Sequence, residues 1–560
     1  MIIDVIIFLA VLSLLIFFHE LGHFTAAKAF GIYVKRFSIG MPPRLFGVQL
    51  GETDYCVGIP FGGFVMMAGQ EDVPLSDEER EREYGRVPEE RWFKNKPVWQ
   101  RMCVLLAGPT MNLILAVLLY GFIGLVGSQV PEWEVEARVG QIEPGSPVED
   151  APLYRVEEGE TPAEDREPDA FGWRIGDRIL AINGREAENM TDLAIAAILG
   201  GESREQRILL ERPYSDKEPE RFLSVVAPRV LDDTGHARFG VEPFETPIIR
   251  EVIPDSAAEA AGFKAGDIIY ALDGEQVTLS GFIAHIEAVE EESTVTVELQ
   301  RDGEMMVLAA QPRTIGRLQG VWLEANDPAN DPASVLFVSP EMQEETKLRP
   351  RDVIVEVDGA PTTLKELRKI QEASPGISLE FNVHRPGVLF GLLEPASTFT
   401  TSATPQPVRA IGVALKPQMV LQRVPVTQIV PHAFYQSYLA VERTLLTIAG
   451  LVRGTVSPKD LGGPVMIFDV TTKAAEAGFG WLVKITAFIS VNLFILNLLP
   501  LPVLDGGQVV TNAVEAIRGK PLNEKILERM QQVGIVMLLM LMLFVTYNDI
   551  MRLVQNWLPW

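Results

Sequence analysis

The chain has 560 residues, 47% of them hydrophobic, and a formal charge of −26. That acidic balance argues against nucleic acid as a partner and against binding an anionic membrane surface through net charge. Two cysteines, Cys56 and Cys103, give no disulfide framework, and the length leaves room for roughly three to five domain-sized units.

The chain opens on an apolar run. Residues 2–18 are apolar apart from Asp4 and Ser13, and with 19–23 they are long enough to cross a bilayer. No basic residue precedes them, so residues 1–30 are expected to be a retained first transmembrane helix and not a cleaved signal peptide. At its inner end stands His19-Glu20-Leu21-Gly22-His23. A helix puts residues i and i+4 on one face, so both imidazoles can reach one metal ion. Glu20 lies beside them, where a general base for a metal-bound water is needed. A soluble helix with packed histidines is the rival reading, but ionisable groups within a membrane helix are costly and mark function.

Residues 31–101 are expected to form a cytoplasmic, membrane-associated β-hairpin loop. The stretch 37–69 is rich in glycine and aromatic or β-branched residues, including Gly58-Ile59-Pro60-Phe61-Gly62-Gly63-Phe64-Val65. It reads as a hairpin that dips toward the membrane, whose free edge could capture an unwound segment of another chain. A plain surface hairpin accounts for the same residues. The charged run 77–91 reads as a solvated loop. Residues 102–127 make a second span.

The region 128–417 repeats a pattern three times. Ile175-Gly176-Asp177 leads to Asn183-Gly184, Ala265-Gly266-Asp267 to Asp273-Gly274, and Pro350-Arg351-Asp352 to Asp358-Gly359. Each copy sets Asp seven residues before Gly, around an alternating strand that ends in an Asn/Asp-Gly turn. The unit resembles the bacterial PDZ module, giving domains at 128–244 and 245–314 and a possible third at 315–417. The first copy carries an acidic insertion near 155–169. The third has Arg351 in place of the turn glycine and shows no clear helix before it. Residues 418–480 should hold a linker and an amphipathic helix over 426–452 at the outer interface, because His432, Glu442 and Arg443 interrupt its apolar run.

A third span at 481–512 ends in Asn497-Leu498-Leu499-Pro500-Leu501-Pro502-Val503-Leu504-Asp505-Gly506-Gly507. A cytoplasmic helix or loop follows at 513–532, then a fourth span at 533–553. Basic residues concentrate between the first two spans and again at 513–532, so those loops should face the cytoplasm and both termini the outside. With four spans the first and third run in the same direction, and His19, His23 and Asp505 can meet at one depth. Pro500 and Pro502 cannot donate backbone hydrogen bonds and Gly506-Gly507 relaxes the chain further, which is tolerated at membrane depth where the backbone lines a cavity.

The histidine motif, Gly108-Pro109-Thr110-Met111-Asn112 in the second span and the proline-rich close of the third together resemble the site-2 protease family of intramembrane zinc metalloproteases (M50). Within it, the arrangement resembles the bacterial regulator-of-sigma-E protease type. The resemblance implies a polytopic α-helical membrane protein of four transmembrane helices, with an extracytoplasmic insert of two or three PDZ-like α+β domains. It implies one Zn2+ per chain on His19, His23 and Asp505, with Glu20 as catalytic base. Asn497, Pro502 and Asn112 would position the substrate. Two imidazoles and a carboxylate suit zinc. Expected substrates are single-pass transmembrane proteins in the bilayer of a bacterial inner membrane, either anti-sigma-factor-like proteins or signal-peptide remnants. The PDZ-like domains would contact peptides or substrate ectodomains and exclude bulky ones. Two rival classes are a membrane-tethered PDZ adaptor with a vestigial metal site and an ion-translocation path. The intact Glu20 argues against the first, and four spans without an inverted repeat argue against the second.

Overall fold

The computed structural model describes residues 2–70, 87–156, 166–201, 204–214, 218–231, 237–290, 292–325, 327–387, 395–520 and 522–555. The expected solvated run at 77–91 therefore lies mostly outside the described residues, as does most of the insertion near 155–169. The chain divides into two compact units. One comprises residues 1–129 and 421–550, the other 130–420 and 551–560.

The first unit is helical. Its described residues include four helices long and apolar enough to cross a membrane, at Ile3–Ala29, Val98–Val126, Phe479–Leu498 and Lys525–Met551. The second span packs between the first and third. Glycines make that approach possible: a Cβ on Gly22 would overlap the Ala107 carbonyl, and one on Gly108 would overlap the His23 ring. Without a hydrophobic force to join helices in lipid, such close backbone contacts carry much of the association. Buried Ser490 of the third span donates to the Asn112 carbonyl of the second at 2.7 Å.

One boundary differs from the sequence reading. The third span stops at Leu498, and a separate helix begins at Asp505, so 481–512 is not one helix. The cause is the intervening Pro500 and Pro502, which leave only short-range bonds such as Leu504 N to Leu501 O at 2.9 Å. Gly506 and Gly507 are helical; a Cβ on Gly506 would overlap the Leu498 carbonyl and one on Gly507 the Leu501 carbonyl. They serve close packing and do not relax the chain.

A helix of 25 residues runs over Ile429–Arg453; it is not apolar enough to count as a span. It packs along the second and third spans through a stripe of Ala433, Ser437 and Ala440. Thr444 Oγ1 donates to Asn492 Oδ1 at 2.7 Å.

Residues 34–67 form one long antiparallel hairpin, Val34–Leu50 with Thr53–Met67. β-Branched and aromatic residues such as Phe37, Ile39, Tyr55 and Val57 suit the strands, and Gly51 at φ 61° closes the turn.

In the second unit three antiparallel sheets repeat one construction. In each, a buried Asp of the repeat accepts two hydrogen bonds from one arginine: Asp177 from Arg212, Asp267 from Arg301, Asp352 from Arg385, all at 2.7–2.8 Å. Each sheet also has its Asn/Asp-Gly pair at positive φ (52° and 80°, 49° and 81°, 50° and 78°), the type I′ geometry. The third copy does possess a preceding helix, Pro340–Thr346, whose polar sequence hides it from a hydrophobic pattern. Arg351 takes the left-handed conformation, φ 75°, that Gly266 takes at 95°. The sheet expected to end at 314 is completed by Val413–Pro417, which pairs with Pro247–Val252. The third copy is thus inserted within the second and does not simply follow it.

Candidate metal centre

The site is built where the first span meets the break in the third. His19 and His23 stand one helical turn apart, and Asp505 opens the helix after the break. His23 Nε2 lies 3.2 Å from His19 Nε2 and 3.5 Å from Asp505 Oδ1, and His19 Nε2 lies 3.2 Å from Asp505 Oδ2. These atoms fall within 4.8 Å of one another, the one such His/Cys/Asp/Glu group among the described residues. Metal–ligand bonds of about 2.1 Å in a tetrahedron put neighbouring ligand atoms about 3.4 Å apart. The donor set therefore fits zinc in both chemistry and spacing.

Both rings are held from behind. His23 is 7% exposed, and its Nδ1–H donates to the Val104 carbonyl at 2.8 Å, which leaves the Nε2 lone pair free. His19 Nδ1 lies 3.3 Å from the carboxamide of Asn112, itself 1% exposed. The close approach of Gly108 to the His23 ring belongs to the same support.

A cleft of about 390 Å³ opens onto the cluster. His19, Glu20, His23, Pro502 and Asp505 line it, with Gly63, Phe64 and Val65 of the hairpin on another wall. Of the residues expected from sequence, the structure thus brings His19, His23, Asp505, Glu20 and Pro502 to one cavity. Asn112 stands behind His19. Asn497 occupies the last turn of the third span and is not among the cleft-lining residues.

Five contributing residues were not anticipated. Gly22 and Gly108 set the helix spacing, Val104 orients His23 through its carbonyl, and Gln508 and Gln531 add amides to the cleft. Only the glycines leave a trace in the sequence, as small residues inside the two motifs.

Two imidazoles and one carboxylate converge on a point, with a second carboxylate beside them in a cleft between membrane helices. That arrangement fits a metal-dependent hydrolase site in a membrane-embedded protein. The chain belongs to peptidase family M50, whose model matches residues 7–541, and it is a zinc metalloendopeptidase. Membership also makes it a membrane protease of regulated intramembrane proteolysis. It is 28% identical over 561 residues to the regulator of sigma-E protease RseP of Escherichia coli, covering 98% of this chain and 99% of that one. It is 26% identical to the RseP of Salmonella typhimurium, with 98% of each chain covered. A Ralstonia nicotianae relative named as a zinc metalloprotease, RSc1411, is 28% identical, again with 98% of each chain covered.

Proposed function

We propose that His19, His23 and Asp505 hold the zinc ion and that Glu20 is the general base of an intramembrane endopeptidase. The observation that carries this reading is the meeting of the three ligand atoms, from helices far apart in the chain, beside Glu20 in one cleft. Bound zinc supplies Lewis-acid polarisation of the scissile carbonyl and acidifies water. Glu20 accepts a proton from the attacking water and returns it to the leaving amine. Pro502 shapes the wall of the cleft, and Asn497 orients the substrate from the end of the third span.

Substrates are single-pass membrane proteins, whether anti-sigma-factor-like chains or signal-peptide remnants. A peptide bond within a helix is shielded by its own hydrogen bonds, so the substrate must unwind before it reacts. Gly63–Val65 present a strand to the cleft, and strand addition there would hold the unwound segment. The three repeated sheets act as PDZ-like domains that screen the ectodomains of substrates. The loop 31–101 and the site face the cytoplasm, and the PDZ-like region lies outside, in an inner membrane.

The test uses the full chain in lipid nanodiscs with a single-pass model substrate. Glu20→Gln should retain one zinc per chain and lower cleavage by at least about 100-fold. Cleavage by that variant near the wild-type rate would overturn the assignment of the base. Retention of tight zinc by Asp505→Ala and His19→Ala would overturn the metal centre.

A further inference from the structure

Asn112 touches both other motif-bearing helices. Its backbone carbonyl accepts Ser490 Oγ–H of the third span at 2.7 Å, and its carboxamide reaches His19 of the first at 3.3 Å. It is 1% exposed, so whatever its polar atoms do is decided by protein neighbours.

A neutral imidazole carries one N–H. For His19 to present its Nε2 lone pair toward Asp505 and His23, Nδ1 must hold the proton, and a buried N–H needs an acceptor. His23 meets this requirement through the Val104 carbonyl. For His19, the group at Nδ1 is the Asn112 carboxamide. With Nδ2 turned to the ring, two donors would face each other or His19 would have to place its proton on Nε2. In that orientation Asn112 Oδ1 is also buried without a hydrogen-bond partner among the described residues. Amide oxygen and nitrogen are told apart by the hydrogen bonds they make. Rotation of the amide brings Oδ1 to Nδ1–H and gives the orphaned oxygen a donor.

We infer that Asn112 is a positioning residue whose side-chain oxygen accepts Nδ1–H of His19, fixing the tautomer and ring orientation in which Nε2 faces the metal. The inference rests on His19 being a zinc ligand. It assigns Asn112 to the support of that ligand and not to contact with substrate.

Outer-shell hydrogen bonds of this kind are worth roughly 10- to 100-fold in metal affinity. The experiment measures the zinc dissociation constant of the full chain in detergent micelles by competition with a chelator of known affinity. Asn112→Leu keeps the volume and removes the acceptor; it should weaken zinc by about 10- to 100-fold. Asn112→Asp keeps an acceptor and should stay within about threefold of wild type. The cobalt(II)-substituted protein gives a second readout: its visible spectrum should change in the Leu variant and be restored in the Asp variant. Zinc affinity of Asn112→Leu within twofold of wild type, or equal loss in both variants, would overturn the inference. A variant that binds zinc normally but raises KM would overturn it too, by placing Asn112 against substrate. His19→Ala separates the two readings. If it retains tight zinc the metal centre itself fails, whereas if it loses zinc and Asn112→Leu does not, only the role of Asn112 fails.

Discussion

Gly108 lies flat against the imidazole of His23. A methyl group on its Cα would overlap Nε2 and stand 2.8 Å from Cδ2. Nε2 is the nitrogen that faces His19 and Asp505, so the second span passes directly behind the proposed ligand set. Gly108→Ala must displace either the ring or the helix. Overpacking of this kind costs about 1–3 kcal/mol, and here the ring is the softer element. Zinc affinity is expected to fall by about tenfold or more, with cleavage falling alongside it. Gly121, on the same helix, is the control: a Cβ there meets nothing nearer than Ala433 Cβ at 3.5 Å. Chelator competition on the two alanine variants checks the contrast. Equal zinc affinity in both would show that the Gly108 contact does not shape the site.

How much of this was legible follows from what each motif encodes. The histidine pair is a local pattern: spacing i, i+4 on a helix sets both rings on one face whatever else the chain does. Asp505 needed only the parity of the spans to reach the same depth. Asn112 was visible as part of a motif, but its neighbour was not, because a contact 93 residues away in sequence depends on how two helices cross. The same holds for Gly22 and Gly108, whose importance lies in a backbone approach that no single helix contains. In the repeated sheets the Asp and the Asn/Asp-Gly turn were found, since both are local. Their arginine partners lie 33 to 35 residues further on, at Arg212, Arg301 and Arg385, and carry no fixed flanking signature. The helix Pro340–Thr346 was missed because its surface is polar and only its cap residue Ser339 advertises it. Insertion of the third copy into the second could not be read, because the closing strand Val413–Pro417 resembles any other short apolar strand.

The Asp–Arg pair identifies a second measurable quantity. Asp267 is 1% exposed, accepts from Arg301 through two nitrogens and accepts from the Lys264 backbone N–H at 2.9 Å. Arg301 in turn donates to the Gly262 carbonyl at 2.9 Å. Removing one member of a fully buried pair costs about 3–5 kcal/mol, and because the Arg301 side chain is 18% exposed the cost here should sit at or below the low end of that range. Asp267→Ala should therefore unfold the second sheet well below the wild-type midpoint in urea. Because the third copy interrupts the second, its insertion point should loosen at the same time. Zinc content should not change, since no atom of the metal cluster belongs to this sheet. A loss of unfolding free energy under about 1 kcal/mol would contradict the buried-pair argument.

The hairpin offers a test by pH. Glu52, next to its turn, accepts from Arg91 Nη1 and Nη2 at 2.8 and 2.7 Å and from Lys28 Nζ at 2.7 Å. Lys28 belongs to the last turn of the first span, so this carboxylate ties the hairpin tip to the end of the helix that carries His19 and His23. Hydrogen bonding from Arg91, above all, holds its pKa at about 2, against an ordinary 4.5. A depressed carboxylate pKa stabilises the folded arrangement above the unfolded value, and that contribution is lost as the pH falls through the folded one. The tie should thus be intact above pH 4.5 and weaken between there and about pH 2. Because Glu52 is about one-third exposed, solvent screens the pair and the loosening should stay local. Amide protection factors around the turn, measured in nanodiscs across this window, should fall with pH in the wild type. In Glu52→Gln they should be low at every pH. Protection in the wild type that is flat from pH 5 to pH 2 would show that the Arg91–Glu52–Lys28 cluster does not hold the hairpin to the first span.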